Sequence, residues 1–246
     1  MPEQLWFTAV LNRYFGALAN ALLSALHIHL SERRKLAPIT NYVAMEILVF
    51  VVLVIFFLAA RMSLSVEKPG VLQHAVEWMN GFVSDQSEEM IGHGYETYTS
   101  YLVTLGVFIL TANLLGLVPG FEAPTAIPSV PLGCALVTWI FYHVHGLRKN
   151  GVIGYLKHFM GPVWWIAPLL FVIEVFSHLA RIMSLTIRLY ANMFAGDMVT
   201  LVFFSLIPLG VPVLFMGLHI GVSLIQTYIF VLLATVYLAE ATAQEH

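Results

Sequence analysis

The stretch FVIEVFSHLARIMSLTIRLYANMFAGDMVT, residues 171–200, decides the fold. It is apolar enough to sit in a membrane, yet it carries Glu174, His178, Arg181, Arg188 and Asp197. A charged side chain near the bilayer centre costs at least ~2.5–3.5 kcal/mol on insertion scales, so such residues face protein or water. Glu174, Arg181 and Arg188 recur every seven residues, two helical turns, and therefore share a face. Ser177, Ser184 and Asn192 fall close to the same side. Structural polar contacts inside a helical bundle would account for the serines. They account less well for Arg188 and Asp197, which are nine residues apart and not a local helix pair.

Prolines bound this stretch. Pro162 and Pro168 precede it, and the next is Pro208. Roughly 38 proline-free residues at 1.5 Å each make about 57 Å of helix. The hydrocarbon core is only about 30 Å thick. The expectation is one long oblique helix, about 168–207, tilted by roughly 40–60° where ordinary tilt averages about 20°. Gly196 would permit a bend, but an unbroken helix is the expectation. PLGVP (208–212) then makes a hairpin turn into a final helix, about 212–240.

The composition agrees. Of 246 residues, 59% are apolar and 10% charged, against about 25% charged in soluble domains. Mean hydropathy is +0.85. This predicts an all-α polytopic membrane protein with about five membrane-embedded helices, one long and steeply tilted, plus amphipathic surface helices. Residues 41–246 read as a single membrane domain, and residues 1–40 as an N-terminal amphipathic segment. The start, MPEQLWF, lacks the basic region of a signal peptide. The single Cys134 is expected to be a packed free thiol.

The remaining spans follow in order. Phe7, Leu11, Tyr14, Leu18, Ala21 and Ala25 have helical periodicity. His27 and His29 beside Glu32 are a weak metal signal, and SERRKLAP (31–38) ends the pattern. Met45–Ala60 is the first clear span. Residues 71–91 carry Leu72, Val76, Met79 and Val83 on one side and acidic residues elsewhere, an amphipathic helix on the membrane surface. The second span runs from Thr97 to Val118. The proline-rich loop to Pro131 is expected to be neither helix nor central strand. The third span is about Leu132–Val144, followed by GLRKNG (146–151) as a loop.

Arg61, Lys68, Arg148, Lys149 and Lys157 fall in two loops on one side, which the positive-inside rule makes cytoplasmic, together with the C-terminus. The N-terminal segment is then external, although Arg33, Arg34 and Lys35 oppose this. On that orientation Glu174, with Ser177 and His178 a turn away, lies towards the cytoplasm. Asp197 lies towards the outside. His219, about 10 Å into the last helix, shares the outer half. Arg188 sits between, and Gln226, two turns inward from His219, is placed to meet it. Arginine does not deprotonate in proteins. It cannot relay a proton, but it can attract an anion or repel a cation, which suits a barrier. His219 can exchange protons near neutral pH, and Asp197 is at matching depth.

The segment SLTIRLYANMFAGD (184–197) closely resembles subunit a of the rotary F-type ATP synthase. Arg188, Asn192, Ala195, Gly196 and Asp197 match that family's motif, with Asp197 standing where the family often has Glu. A second match is His219, Gln226 and IFVLLATVYL to Leu238. The resemblance covers roughly residues 41–246 and fades before that. It implies a stator proton channel with two offset half-channels. These couple proton translocation to rotation of a ring of c subunits. It also implies a b-subunit peripheral stalk, an F1 sector reached indirectly, and a bacterial cell (inner) membrane, or alternatively an organellar energy-transducing one. Its proton pathway would use Arg188, Asp197, His219, Gln226, Asn192, Glu174, Ser177 and His178.

No catalytic triad, phosphate-binding loop or zinc site is legible, and HVH (143–145) lacks ligand spacing. No cofactor, metal or nucleic acid is expected, and the chain carries no catalytic site of its own. A secondary transporter would show paired, similar halves with broken helices, which the sequence lacks. A plain membrane anchor leaves Arg188, Asp197 and His219 unexplained.

Overall fold

A computed structural model describes residues 5–25, 38–65, 69–118, 121–160, 165–206 and 210–243. Every regular element among them is helical. In lipid a helix satisfies its own backbone, which is why long apolar runs fold this way. The helices are α1 (Trp6–Ala25), α2 (Asn41–Met62), α3 (Val71–Ile91), α4 (Glu96–Leu115), α5 (Ser129–Met160), α6 (Ala167–Leu206) and α7 (Val211–Thr242), with a 3-10 turn at Pro124–Ala126. Five of them, α2 and α4 to α7, contain stretches long and apolar enough to cross a membrane. The expected all-α polytopic class and the number of spans both hold.

The core lies where α4, α5, α6 and α7 meet. Leu102 and Ile109 of α4, Tyr142 of α5, Leu189 and Met193 of α6, and Phe230 and Leu238 of α7 are buried there. A second cluster joins Val49 and Leu53 of α2 to Val103 and Val107 of α4. Buried threonines return their hydroxyls to their own helices: Thr138 to Cys134 O, Thr186 to Ile182 O, Thr227 to Ser223 O and Thr235 to Val231 O. This lets polar residues pack at helix crossings without an unpaired donor.

The long helix is continuous. α6 has 40 residues, about 60 Å at 1.5 Å per residue, and Gly196 does not interrupt it. Only 17% of its most apolar window is buried, against 50% for α4. One side of α6 is therefore left to lipid or to another protein. The turn expected at PLGVP is replaced at its end by helix: α7 begins at Val211, with Pro212 in its first turn, where no amide hydrogen is needed. Residues 207–209 lie outside the described residues.

Three expectations need correction. The third span does not stop at Val144. α5 continues through the basic residues to Met160, with one break at Gly151 (φ +69°). Arg148 and Lys149 are thus on a helix, not in a loop. The physical reason is packing: Gly146 lets α5 touch α7, and Asn150 Nδ2 donates to the carbonyls of Ala241 and Ala243, 3.2 and 3.3 Å away. The proline-rich connection is not wholly irregular either. It holds the 3-10 turn, and α5 already starts at Ser129, with Pro131 tolerated in its first turn. In α3, Leu72 is exposed and Gln73 buried, because Gln73 Oε1 accepts from the Ser65 amide at 2.9 Å and its Nε2 donates to Glu77 at 2.8 Å.

A Cβ on Gly146 would lie 2.6 Å from the Tyr155 ring and 2.8 Å from Ala241 O. Gly146→Ala is expected to push α5 off α7, an overpacking that costs about 1–3 kcal/mol. Thermal unfolding of the detergent-solubilised protein should show an earlier transition. An unchanged one would mean that this crossing relaxes freely.

At the other end α1 is tied to the start of α2. Asn12 Nδ2 donates to Ile39 O at 2.9 Å, and Ile39 N donates back to Asn12 Oδ1 at 3.0 Å. The Leu5 amide donates to Asn41 Oδ1. His27, His29, Glu32, Arg33, Arg34, Lys35 and Lys68 lie outside the described residues. So the weak metal signal and part of the charge pattern have no structural counterpart here.

Candidate functional site

α6 and α7 run antiparallel, and their polar residues meet in register. Arg181 pairs with Glu240, Asn192 with Gln226, and Asp197 with His219. Each step along α6 is answered by a step back along α7.

At the end of α6 nearer α5, Glu174 Oε1 lies 3.3 Å from His178 Nε2. The other ring nitrogen, Nδ1, is 2.8 Å from the Tyr142 hydroxyl. Ser177 is half-buried beside them. Arg181 makes a fork onto Glu240, Nη2 to Oε1 and Nη1 to Oε2 both at 2.9 Å, with its Cζ 4.8 Å above the Tyr237 ring. A planar guanidinium fits a carboxylate in this two-pronged way, and its charge is answered there.

Arg188 is different. It is half-buried, its Nη2 donates to Ser184 Oγ at 3.1 Å, and no described carboxylate lies within ion-pair distance. Gln226 does not meet it. Gln226 is buried and accepts from Asn192 Nδ2 instead. Ser184, Arg188 and Asn192 form a line at four-residue spacing beside the uncovered side of α6, with Ser184 and Asn192 exposed.

At the far end, His219 Nδ1 is 3.8 Å from Asp197 Oδ1. The histidine is 4% exposed. Its ring rests on Gly196, where a Cβ would come within 2.9 Å of Nε2. The glycine is therefore not a bend but a seat for the imidazole. Beside it is a cavity of about 250 Å³ lined by Asn192, Gly196, Thr200, Phe215 and His219 among others. Asp197 and Gln226 border this region without lining the cavity. His219 Nε2, Gln226 Nε2 and Thr200 Oγ1 are buried without a protein partner, and the space is ample for water.

Three residues escaped sequence reasoning. Tyr142 carried no motif, and it stands beside the HVH run. The Nδ1 atoms of His143 and His145 bond back to Trp139 O and Phe141 O. Glu122, in the proline-rich connection, accepts from Asn41 Nδ2 at 3.5 Å and keeps its other oxygen buried. It lies close enough to act electrostatically on Asp197 and Tyr42. Ser223 could have been found: it follows His219 by four residues and precedes Gln226 by three, on the same face.

A bundle of membrane-length helices, with Arg181 matched by Glu240 across two of them and no described carboxylate within ion-pair distance of Arg188, is the architecture of an integral membrane protein. The family model described as ATP synthase A chain matches residues 43–239. The chain is 76% identical over 246 residues to "ATP synthase subunit a" of Koribacter versatilis, covering all of both chains. It is 47% identical to that of Solibacter usitatus, over 96% of this chain and 99% of the relative. With that of Geobacter sulfurreducens the identity is 37%, over 89% and 93%. The chain belongs to the ATP synthase subunit a family, and membership implies assembly with the rest of that complex.

Proposed function

We propose that this chain is the stator proton channel of a rotary ATP synthase, with two offset half-channels separated by Arg188. The observation that carries the reading is the contrast between two arginines on one helix. Arg181 is neutralised by Glu240, whereas Arg188 keeps its charge. Arg188 lies about 21 Å along the helix from Glu174 and about 13 Å from Asp197, from 1.5 Å per residue. Titratable pairs stand at both ends, Glu174–His178 and Asp197–His219.

Polar side chains on an otherwise apolar uncovered face are not made for lipid. Ser184, Arg188 and Asn192 there suit a partner that carries a membrane carboxylate, the ring of c subunits. Glu174, Ser177 and His178 form the inner half-channel. Asp197, His219, Asn192 and Gln226 form the outer one, with water in the adjoining cavity. The b-subunit stalk and, through it, the F1 sector complete the stator in a bacterial inner membrane. The membrane potential supplies about 2.3 kcal/mol per charge per 100 mV.

The experiment is ATP synthesis by the whole complex in vesicles. Synthesis driven by a proton gradient in sodium-free buffer is the expected result. His219→Ala should slow it more than Glu174→Ala does. His219 is enclosed against Gly196, whereas Glu174 is half-buried and water can partly replace it. Wild-type rates in both variants would remove both ends of the pathway.

A further inference from the structure

Tyr142 is 2% exposed, on α5, and its ring stacks on that of His178 with centroids 5.8 Å apart. His178 is thereby held at both nitrogens, by the Tyr142 hydroxyl at Nδ1 and by Glu174 at Nε2. A neutral imidazole has one donor and one acceptor nitrogen. An ionised Glu174 only accepts, so it selects the form with hydrogen on Nε2. Nδ1 is then the acceptor, and the hydroxyl donates to it. When the ring is doubly protonated, Nδ1 becomes a donor as well. A hydroxyl can reverse its role and accept, which no apolar ring can do.

Other titratable groups face this point from each packed helix. His143 of α5 has its ring centre 4.7 Å from that of His178, and Tyr155 of α5 feels both Glu174 and Arg181. From α6 come Glu174 and Arg181, and from α7 Tyr237 and Glu240, which also act on Tyr142. The one fixed cation among them, Arg181, is held by Glu240.

We propose that Tyr142 is a positioning residue for proton transfer at the inner end, its hydroxyl keeping the His178 ring aligned with Glu174 in both protonation states. The exchanged proton is the one between Nε2 and the carboxylate. As it leaves nitrogen for oxygen, the ring keeps its other hydrogen on Nδ1, where the Tyr142 oxygen accepts it. In this step the imidazolium, which has already taken its second proton from pathway water, loses one proton to the carboxylate, and the Tyr142 O–H bond stays intact. The proposal rests on the reading of Glu174 and His178 as the inner pathway.

The test is ATP-driven proton pumping by the assembled enzyme in inverted membrane vesicles, with the pH of the F1-bearing side varied and rates normalised to intact complex. Tyr142→Phe keeps the ring and loses only the hydroxyl. It is expected to lower pumping severalfold and to displace the pH profile. In a His178→Gln background the same change should add nothing. Two results would overturn the proposal alone: a Tyr142→Phe profile that matches wild type while His178→Gln is impaired, or an equal loss with and without His178. Full pumping in both His178→Gln and Glu174→Ala would overturn it together with the inner-pathway reading beneath it.

Discussion

Arg188→Ala is expected to abolish ion-driven ATP synthesis and to leave the membrane sector passively leaky to protons. A ring carboxylate that arrives protonated has little reason to ionise in lipid, where its charged form is disfavoured. Beside an arginine whose charge is not spent on another carboxylate, the anion is stabilised and the proton leaves into the adjoining half-channel. On the proposed mechanism the same charge repels hydronium, which keeps protons from passing straight from the Asp197 side to the Glu174 side. Removing it removes both effects. Arg188→Lys keeps a charge but loses the planar fork and the fixed protonation state, and should not restore synthesis. Synthesis in energised vesicles and proton permeability in F1-stripped ones are the measurements. Normal synthesis by Arg188→Ala with an intact ring would refute the proposed mechanism at its centre.

On the proposed mechanism Gly196→Val should nearly silence the outer half-channel without replacing a titratable group. Even a single Cβ at this position would stand 2.9 Å from His219 Nε2 and 3.0 Å from two ring carbons. The imidazole is 4% exposed, so the room left to it is the adjoining cavity. It must leave its place 3.8 Å from Asp197, and the cavity beside it fills with methyl groups. Proton-driven synthesis is expected to fall steeply, with a smaller loss for Gly196→Ala. In a His219→Ala background the valine should cost little more, because the clash is gone. Equal losses in both backgrounds would mean that Gly196 acts through packing elsewhere.

Much of this was legible in the sequence because membranes simplify the problem. Apolar runs bounded by prolines place α2, α4, α6 and α7 to within a few residues of the structure. The His219–Gln226 match and the Arg188–Asp197 spacing mark two helices that do lie side by side. What was not legible depends on contacts between distant residues. GLRKNG has the composition of a loop, yet Gly146 is needed at a helix crossing and Asn150 caps α7, so the helix runs on. Arg181 and Arg188 look alike at heptad spacing, and only the arrival of Glu240 separates a neutralised arginine from a free one. Gly196 reads only as a place that permits a bend until the ring of His219 is seen resting on it. Tyr142 and Glu122 belong to no local pattern, since what matters about each is which other helix or loop faces it.

Two of the polar fastenings between α6 and α7, Arg181–Glu240 and Asn192–Gln226, sit eleven residues apart, about 16 Å along the helix. Apolar side chains tolerate sliding, because one methyl group packs much like the next. A forked ion pair and an amide pair do not, and a shift of one helical turn would sever both together. Fastened at two points on one side and bare on the other, α6 is a beam braced against shear. A rotor that pushed along it would load those fastenings long before it displaced the greasy contacts between them. On the proposed stator role, the mechanical weak points of α6 are therefore polar bonds, and it is there that sustained torque should first be felt.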